Sequence, residues 1–237
     1  MPEIDKILAR FPKQRPPLPE AQQKIYEQEY LANREGKNLA SSLAQKLEAW
    51  IHRKVAQNVV GRRFLEVGAG TLNHVPYVVE NEYYDAVEPA KFLYQDSFFK
   101  LRIRNFYSDI SQCDSQYDSI FSIAALEHVT NLPEVLAKMG TLLASGGVCV
   151  NAIPCEGGFL WGLSWRLSTG LSYKLRTGFS YKTLMQHEHI NGHDEIIALH
   201  KHFFENVKLV YFPVWGKHFS LYCCVIASKP KPPLLRA

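Results

Sequence analysis

Between residues 62 and 154 the chain alternates short apolar runs with polar or amphipathic stretches. A helix is predicted after residue 131, because Pro133 stands in a first turn and apolar residues then recur at helical spacing. Strands that alternate with helices indicate a parallel sheet with helices on both faces. The runs predicted as strands are 62–70, 84–90, 103–110, 117–126 and 146–154.

The two ends of the chain have other patterns. The first twenty residues contain five prolines and predict an irregular arm, followed by a surface helix over 20–33. Near the other end, a predicted helix over 193–204 precedes two strand-like runs, 206–215 and 219–229, which predict an antiparallel hairpin at the sheet edge. A helix ending at Gly61 is predicted from apolar residues at helical spacing, namely Leu39, Leu43, Leu47, Trp50, Ile51 and Val55.

Composition narrows the class of protein. A chain of 237 residues with 46% hydrophobic and 21% charged residues fits one α/β domain with extensions. The net charge of +4, without a dense Lys/Arg run, argues against a nucleic-acid partner. The sequence predicts no transmembrane helix and no secretory signal. Five cysteines without a CxxC spacing fit reduced thiols, so we expect a cytoplasmic protein.

The segment FLEVGAGTLNH, residues 64–74, predicts a buried strand that turns through a glycine loop into a helix. Such loops bind anionic or hydroxyl-rich groups through free backbone N–H donors. Asn73 stands where a dinucleotide-binding loop needs its third glycine, which disfavours a nicotinamide dehydrogenase. No Gly-Lys-Ser/Thr follows, so a phosphate-binding P-loop is also disfavoured.

Acidic residues stand at the predicted ends of three neighbouring strands. Glu66 would repel a pyrophosphate and suit a ligand with an ammonium group. Glu88 can accept both hydroxyls of a ribose, and Asp109 can accept the amino group of adenine. The three acids together indicate a cationic, adenosine-containing ligand without phosphate. S-adenosylmethionine fits this description.

Residues 62–154 resemble the class I S-adenosylmethionine-dependent methyltransferases, in particular small bacterial ones. The resemblance rests on LEVGAG, VEPA, YSDI, YDSIFSIAALEHV and LLASGGV, which occur in the order of the family's motifs. One departure is Leu72, where many members have a glycine. The resemblance implies S-adenosylmethionine as cofactor, with contacts to Glu66, Gly68, Gly70, Glu88, Asp109, Ile110, Ala124 and Ala125.

The same resemblance implies the fold. We expect a Rossmann-like α/β architecture with a seven-stranded, mostly parallel sheet and helices on both faces. The antiparallel last strand would lie between strands five and six, which agrees with the hairpin predicted from the pattern.

Methyl transfer to a hydroxyl needs a base, and histidine is a simple choice near neutral pH. The candidates are His128, in the Glu-His pair after the fourth strand, and His189 and His193 in HEHINGHDE. His128 could instead cap the cofactor cavity. The histidine spacing does not match H-E-x-x-H, so no metal is expected.

The stretch 156–192 interrupts the alternation of strands and helices and interleaves aromatic residues with cations. We expect it to close over the acceptor, with aromatic rings as a wall and a cation for an anionic group. Packing on the core is the alternative interpretation. The residues proposed to bind the acceptor are Trp161, Trp165, Arg166, Tyr173 and Arg176.

The sequence therefore predicts four regions. Residues 1–60 would cover the cofactor site, 61–155 would form the cofactor-binding core, 156–192 the acceptor lid, and 193–230 the helix and hairpin that complete the sheet. The predicted function is methylation, most simply on oxygen, of a small-molecule or saccharide acceptor. A lipid-like or quinone acceptor and a non-catalytic S-adenosylmethionine-binding module are the alternatives, and a peripheral membrane contact and the oligomeric state stay open.

Overall fold

The computed structural model describes residues 3–26, 42–78 and 80–232. The helix predicted over 20–33 is described only as far as residue 26 and is helical from residue 20. Leu39, predicted to begin the next helix, lies outside the described residues.

The central part of the chain alternates strands with short connections, but among the described residues these are 3-10 turns as far as the fourth strand, and an α-helix follows only before the fifth strand. The α-helices used below are α1 (Glu3–Leu8), α2 (Ser42–Ala56), α3 (Leu132–Leu142), α4 (Phe159–Trp165), α5 (Leu171–Thr177), α6 (Tyr181–Glu188) and α7 (His193–Phe203). A π-helical turn, Arg166–Gly170, joins α4 to α5. The strands are β1 (Arg63–Val67), β2 (Tyr83–Val87), β3 (Phe106–Tyr107), β4 (Tyr117–Ile123), β5 (Leu143–Pro154), β6 (Phe204–Pro213) and β7 (Ser220–Pro230).

The strands form one seven-stranded sheet in the order β3-β2-β1-β4-β5-β7-β6. Neighbours from β3 to β5 are parallel, and β7 is antiparallel to both β5 and β6. The predicted Rossmann-like sheet is confirmed, including the hairpin at its edge and the last strand between β5 and β6. The chain direction across the sheet reverses between β1 and β4, which leaves a crevice at their carboxyl ends.

Helices cover both faces of the sheet. On one face, Ile51 and Val55 of α2 pack with Phe64 and Phe121 of the central strands. On the other face, apolar residues of α1, α3 and α7 pack in a second core cluster, in which Leu136 is fully buried. None of the described helices has the length and apolar character needed to cross a membrane.

Three local predictions were wrong. The N-terminal arm is not irregular throughout, because residues 3–8 form α1 and its Ile7 is buried in the core. The glycine loop leads into a single 3-10 turn, Val75–Tyr77, and not into an α-helix. Pro76 has no N–H to donate, and Arg102 donates to the carbonyl groups of Val75 and Val78, which a continuing helix would need as acceptors.

The third strand is also much shorter than predicted, because the side chains of Asp85 and Asp109 accept hydrogen bonds from the backbone on either side of it. The Asp85 carboxylate accepts hydrogen bonds from the Arg104 side chain and from the Asn105 N–H. Asp109 caps the 3-10 turn Ile110–Gln112. These side-chain bonds leave only two residues in the ladder with β2.

Glu66 of β1 lies on the α2 face of the sheet, since side chains alternate along a strand. It is 3% exposed and accepts a hydrogen bond from the hydroxyl of Tyr84, which is itself fully buried. Burial raises the pKa of the Glu66 carboxyl to about 8, although the Tyr84 hydrogen bond acts in the opposite direction. The central strand therefore carries a carboxyl group that is mostly protonated at neutral pH.

This protonation predicts a pH-dependent stability. The native state keeps the Glu66 proton up to about pH 8, whereas the unfolded chain releases it near the ordinary value of 4.5. The contribution to stability is therefore complete below about pH 4.5 and falls as pH rises through about 8. Urea denaturation at a series of pH values should show this decline in the wild type and a flatter profile in Glu66→Gln. Equal slopes in the two proteins would contradict the assignment.

Candidate active site

A cavity of about 430 Å³ opens at the carboxyl ends of β1, β2 and β4, at the point where the strand order reverses. His128 also lines it, and Arg15 and Glu188 reach it from the N-terminal arm and the end of α6. Seven of the eight predicted cofactor contacts line this cavity, namely Gly68, Gly70, Glu88, Asp109, Ile110, Ala124 and Ala125.

The backbone at the floor of this cavity is closely packed. Gly68 has a positive φ of 76°, and a Cβ added there would lie 2.4 Å from the Cβ of Ala125. Ala124 itself has a φ of 49° and donates its N–H to the carbonyl of Ala152 in β5, at 2.9 Å. The ends of β1 and β4 can approach this closely only because residue 68 has no side chain.

Glu88 joins the ends of β1 and β2. Its Oε2 accepts the N–H of Gly70 at 2.8 Å, and its Oε1 accepts the N–H of Ala90 at 3.0 Å. The side chain is 8% exposed but borders the cavity. Because each carboxylate oxygen can accept more than one hydrogen bond, Glu88 keeps acceptor capacity for a pair of ligand hydroxyls.

Asp109 lies at the rim of the cavity and is exposed, whereas Ile110 beside it is buried. The Asp109 carboxylate accepts the N–H of Ser111 at 2.8 Å, and this hydrogen bonding lowers its pKa. The pair thus offers a charged acceptor and an apolar surface side by side.

Glu66 is not among the residues that line the cavity. Its side chain lies within the α2 face of the sheet, bonded to Tyr84, and its raised pKa leaves it mostly neutral at pH 7. The structure therefore does not bring it to the position of a charged partner for an ammonium group.

A second cavity, of about 410 Å³, lies within the segment that follows β5. Trp161, Trp165 and Arg166 line it together with Glu156 and His189. The Arg166 guanidinium lies over the Trp165 ring, 4.8 Å from its centroid. Three of the five predicted acceptor residues are thus brought together.

Tyr173 and Arg176 lie elsewhere. Tyr173 is buried under α6, where its hydroxyl accepts a hydrogen bond from Gln22 and its ring contacts Tyr181. Arg176 is exposed near the end of α5 and does not line this cavity. Distance along the helical run explains the difference, because position 173 lies eight residues beyond 165, roughly 12 Å at the rise of an α-helix, and 176 lies further still.

The two cavities meet at a pair of histidines. The rings of His128 and His189 are perpendicular, with centroids 4.9 Å apart. His128 lines the first cavity and His189 the second. His193, the third candidate base, lies apart with its Nδ1 2.8 Å from Asp194, and it lines neither of these two cavities.

Carboxylates surround the histidine pair. The Nδ1 of His128 donates to the backbone carbonyl of Glu188 at 2.8 Å. The Nδ1 of His189 lies 3.4 Å from Oε1 of Glu156, outside hydrogen-bond geometry. Burial lowers the pKa of His189, but the interactions with Glu156, Glu127 and Glu188 outweigh it, so the net direction is upward.

Three polar atoms at this junction are buried without a hydrogen-bond partner: Oε2 of Glu127, Oε2 of Glu156 and Nδ1 of His189. Glu127 is only 2% exposed. Buried polar atoms are normally satisfied, so a polar ligand group that reaches this junction could form hydrogen bonds with these three atoms.

The junction could also accommodate a cation, since Glu127, His128 and His189 offer ligand atoms within 4.8 Å of one another. The expected absence of a metal therefore stays a prediction. Glu156 and Arg15 were missed from the sequence. Glu156 stands two residues after the end of β5, which is a usable signal, but an arginine in a proline-rich arm gives none.

Comparisons with known proteins agree with this architecture. Residues 39–191 match the family model described as a methyltransferase domain. No curated protein matches the chain.

Solved structures show the same fold. The N-methyltransferase NodS from Bradyrhizobium japonicum WM9 is 13% identical, with a TM-score of 0.54 over 81% of this chain and 100% of that one. An O-methyltransferase family protein from Burkholderia thailandensis is 13% identical, with a TM-score of 0.57 over 96% of this chain and 67% of that one. The plantazolicin methyltransferase BpumL, in complex with SAH, is 12% identical, with a TM-score of 0.54 over 88% and 99%.

The family model spans more than half of the chain, and its match includes the glycine loop, Glu88 and the His128–His189 junction. The cavity at the strand ends provides what an adenosine ligand needs, namely close backbone approach at Gly68 and a hydroxyl acceptor at Glu88. The chain belongs to the class I S-adenosylmethionine-dependent methyltransferases, and S-adenosylmethionine is its cofactor.

Proposed function

We propose that this enzyme methylates an oxygen atom of a small-molecule or saccharide acceptor bound in the cavity of residues 156–189. The observation that carries the proposal is the contact between His128 and His189, which joins that cavity to the one at the strand ends. A methyl group and an acceptor hydroxyl can meet there.

In this proposal the first cavity holds the cofactor. Glu88 accepts the ribose hydroxyls, Asp109 and Ile110 face the adenine, and Ala124 and Ala125 lie beside the sulfonium. Gly68 and Gly70 let the methionine part approach the backbone. Glu66 contributes indirectly, by fixing the strand under the loop through Tyr84.

The acceptor proton would pass to His189. The cofactor supplies a methyl group already activated by sulfonium, so the protein must orient the hydroxyl and take its proton. Glu156 lies close enough to stabilise the imidazolium that forms. His128 donates from Nδ1 to the Glu188 carbonyl, which leaves its Nε2 as a second acceptor at the boundary of the cofactor cavity.

The unpartnered atoms favour an acceptor with several hydroxyl groups. Two are carboxylate oxygens, of Glu127 and Glu156, and such oxygens only accept hydrogen bonds from a ligand when ionised. A saccharide supplies O–H donors for them, and its ring can stack on Trp161 or Trp165. A purely apolar acceptor would leave these oxygens buried and unsatisfied, at a cost of roughly 1–3 kcal/mol each.

A screen of acceptors tests this preference. The enzyme and S-adenosylmethionine would be incubated with monosaccharides, glycosides, phenols and quinols, and S-adenosylhomocysteine and a methylated product would be measured together. Turnover confined to quinols would favour the lipid-like alternative, and cofactor binding without turnover on any acceptor would favour a non-catalytic module.

Gly68→Ala should abolish cofactor binding, because the new methyl group would lie 2.4 Å from Ala125 and displace the loop. Gly146→Ala is the matched control, since Gly146 also has a positive φ, of 80°, but no atom within 4 Å of an added Cβ. Both variants should lose about 1–2 kcal/mol of stability from the positive φ, and Gly68→Ala should lose more because of its clash with Ala125. Calorimetric titration should show binding retained only in Gly146→Ala, and normal affinity in Gly68→Ala would exclude the proposed cofactor position.

Glu88→Ala should weaken cofactor binding by about 1.5–3 kcal/mol, roughly 10- to 100-fold, because the hydroxyl acceptor is lost. The melting temperature without ligand should also fall, because the N–H groups of Gly70 and Ala90 lose their acceptor. Glu88→Gln keeps one acceptor oxygen and should be affected less in both measurements. Unchanged affinity in Glu88→Ala would reduce Glu88 to a structural role.

His189→Asn should lower kcat by roughly 10²-fold or more and leave cofactor affinity intact, as expected for loss of a general base. Because the pKa of His189 is raised above 6.5, the ascending limb of the wild-type pH–rate profile should lie above that value and disappear in the variant. His193→Asn serves as control and should retain kcat.

Two outcomes would revise this assignment. A loss of kcat in His193→Asn equal to that in His189→Asn would remove the distinction between the two histidines. Inactivation by a chelator, reversed by added Zn²⁺ or Mn²⁺, would indicate a cation at Glu127, His128 and His189 in place of a simple base.

A further inference from the structure

Helix α4, the π turn and α5 form one continuous helical run over 159–177 with an unusual outer surface. Large apolar side chains recur on it at every fourth position and are exposed, by between 39% at Leu163 and 80% at Leu175. The members of this row are Phe159, Leu163, Leu167, Leu171 and Leu175.

The π turn keeps this row on one side of the run. In an α-helix each step of four residues advances about 40° beyond a full turn, so four steps would spread the row over roughly 160°. A π turn closes its hydrogen bonds between residues i and i+5 and takes more residues per turn, which slows this advance. Gly162 and Tyr173, in contrast, are buried toward the protein.

The hairpin between β6 and β7 extends the same apolar area. Its connection exposes Val214, Trp215 and Phe219, with Trp215 83% exposed. The 3-10 turn Lys217–Phe219 packs against the start of α4, where Gly158 lies directly beside Lys217. We call the row and these three residues together the apolar face.

The two segments that carry the apolar face are rich in cations and contain no acidic residue, although the exposed Asp194 of α7 pairs with Lys217 of the hairpin connection. Residues 157–187 contain four cations, Arg166, Lys174, Arg176 and Lys182, and no Asp or Glu. All four cations are exposed. Residues 206–220, which include the hairpin connection, likewise contain no Asp or Glu.

We propose that the apolar face docks the enzyme on an anionic phospholipid bilayer. A helical run with a row of exposed Phe and Leu, exposed cations in the same segment and an exposed tryptophan on the adjoining hairpin has the composition of helices that lie in the headgroup plane. A second copy of the chain is a poorer occupant, because two such faces would bring like charges together. Phe159 and Leu163 also line the cavity that holds His189, so docking would bring that cavity to the bilayer surface.

Co-sedimentation with vesicles tests the proposal with the full chain and without cofactor or acceptor, so its outcome is independent of the proposed function. The protein should bind vesicles of phosphatidylglycerol mixed with phosphatidylcholine, bind pure phosphatidylcholine much more weakly, and be released by salt. The triple variant Phe159→Ser, Leu167→Ser, Leu175→Ser should reduce binding by roughly tenfold or more.

Exposed apolar residues elsewhere provide the control. Phe98 and Leu101 are each 84% exposed on the 3-10 turn Phe98–Arg102, between β2 and β3 at the opposite end of the sheet. Phe98→Ser with Leu101→Ser should leave vesicle binding unchanged. Lys174→Gln should lower binding to the anionic vesicles and not to the neutral ones.

Three results would overturn the proposal: no binding of the wild type to anionic vesicles, equal binding by the triple variant, or equal loss in the Phe98 and Leu101 control. Light scattering of the wild type without vesicles provides the remaining test. A dimer that the triple variant abolishes would assign the apolar face to a second copy of the chain.

Discussion

The site depends on the close approach of two strand ends, where the backbone at Gly68 lies against Ala125. A side chain at residue 68 would separate β1 from β4 and widen the crevice between them. Glu88 then holds the loop in place from the other side, through the N–H of Gly70. The glycine loop is thus fixed by steric contact on one flank and by a charged hydrogen bond on the other.

The N-terminal arm completes this arrangement from outside the sheet. Arg15 borders the cofactor cavity and pairs with Glu188, 3.2 Å away, at the end of α6. Tyr26 donates to the same carboxylate, and Lys13 pairs with Glu195 of α7. The arm therefore connects the segment that carries His189 to the cofactor cavity. Its ion pairs with Glu188 and Glu195 hold the arm, α6 and α7 in fixed positions relative to one another.

The sequence predicted the sheet almost completely, because buried parallel strands, strand-end acids and a glycine turn leave strong local patterns. The prediction was wrong where a single side chain changes the path of the backbone. Arg102 donates hydrogen bonds to carbonyl groups that a helix after the loop would need as acceptors. The sequence of residues 75–78 does not indicate that the donor to Val78 lies 24 positions further along the chain. Glu66 was expected beside the ligand since it precedes the loop, but strand alternation and the partner Tyr84 place it in the sheet.

For the segment proposed to bind the acceptor, residues 156–192, the sequence was less informative. Trp161, Trp165 and Arg166 could be grouped from composition, whereas separating them from Tyr173 and Arg176 needed the length of the helical run and of its π turn, which composition does not encode. That turn sets the rotational phase between α4 and α5. Deleting one residue within 166–170 would allow ordinary α-helical bonding and turn α5 by roughly 100° relative to α4. Leu171 and Leu175 would leave the line of Phe159 and Leu163, so the length of this one turn determines whether the outer surface is a single strip or two unrelated halves.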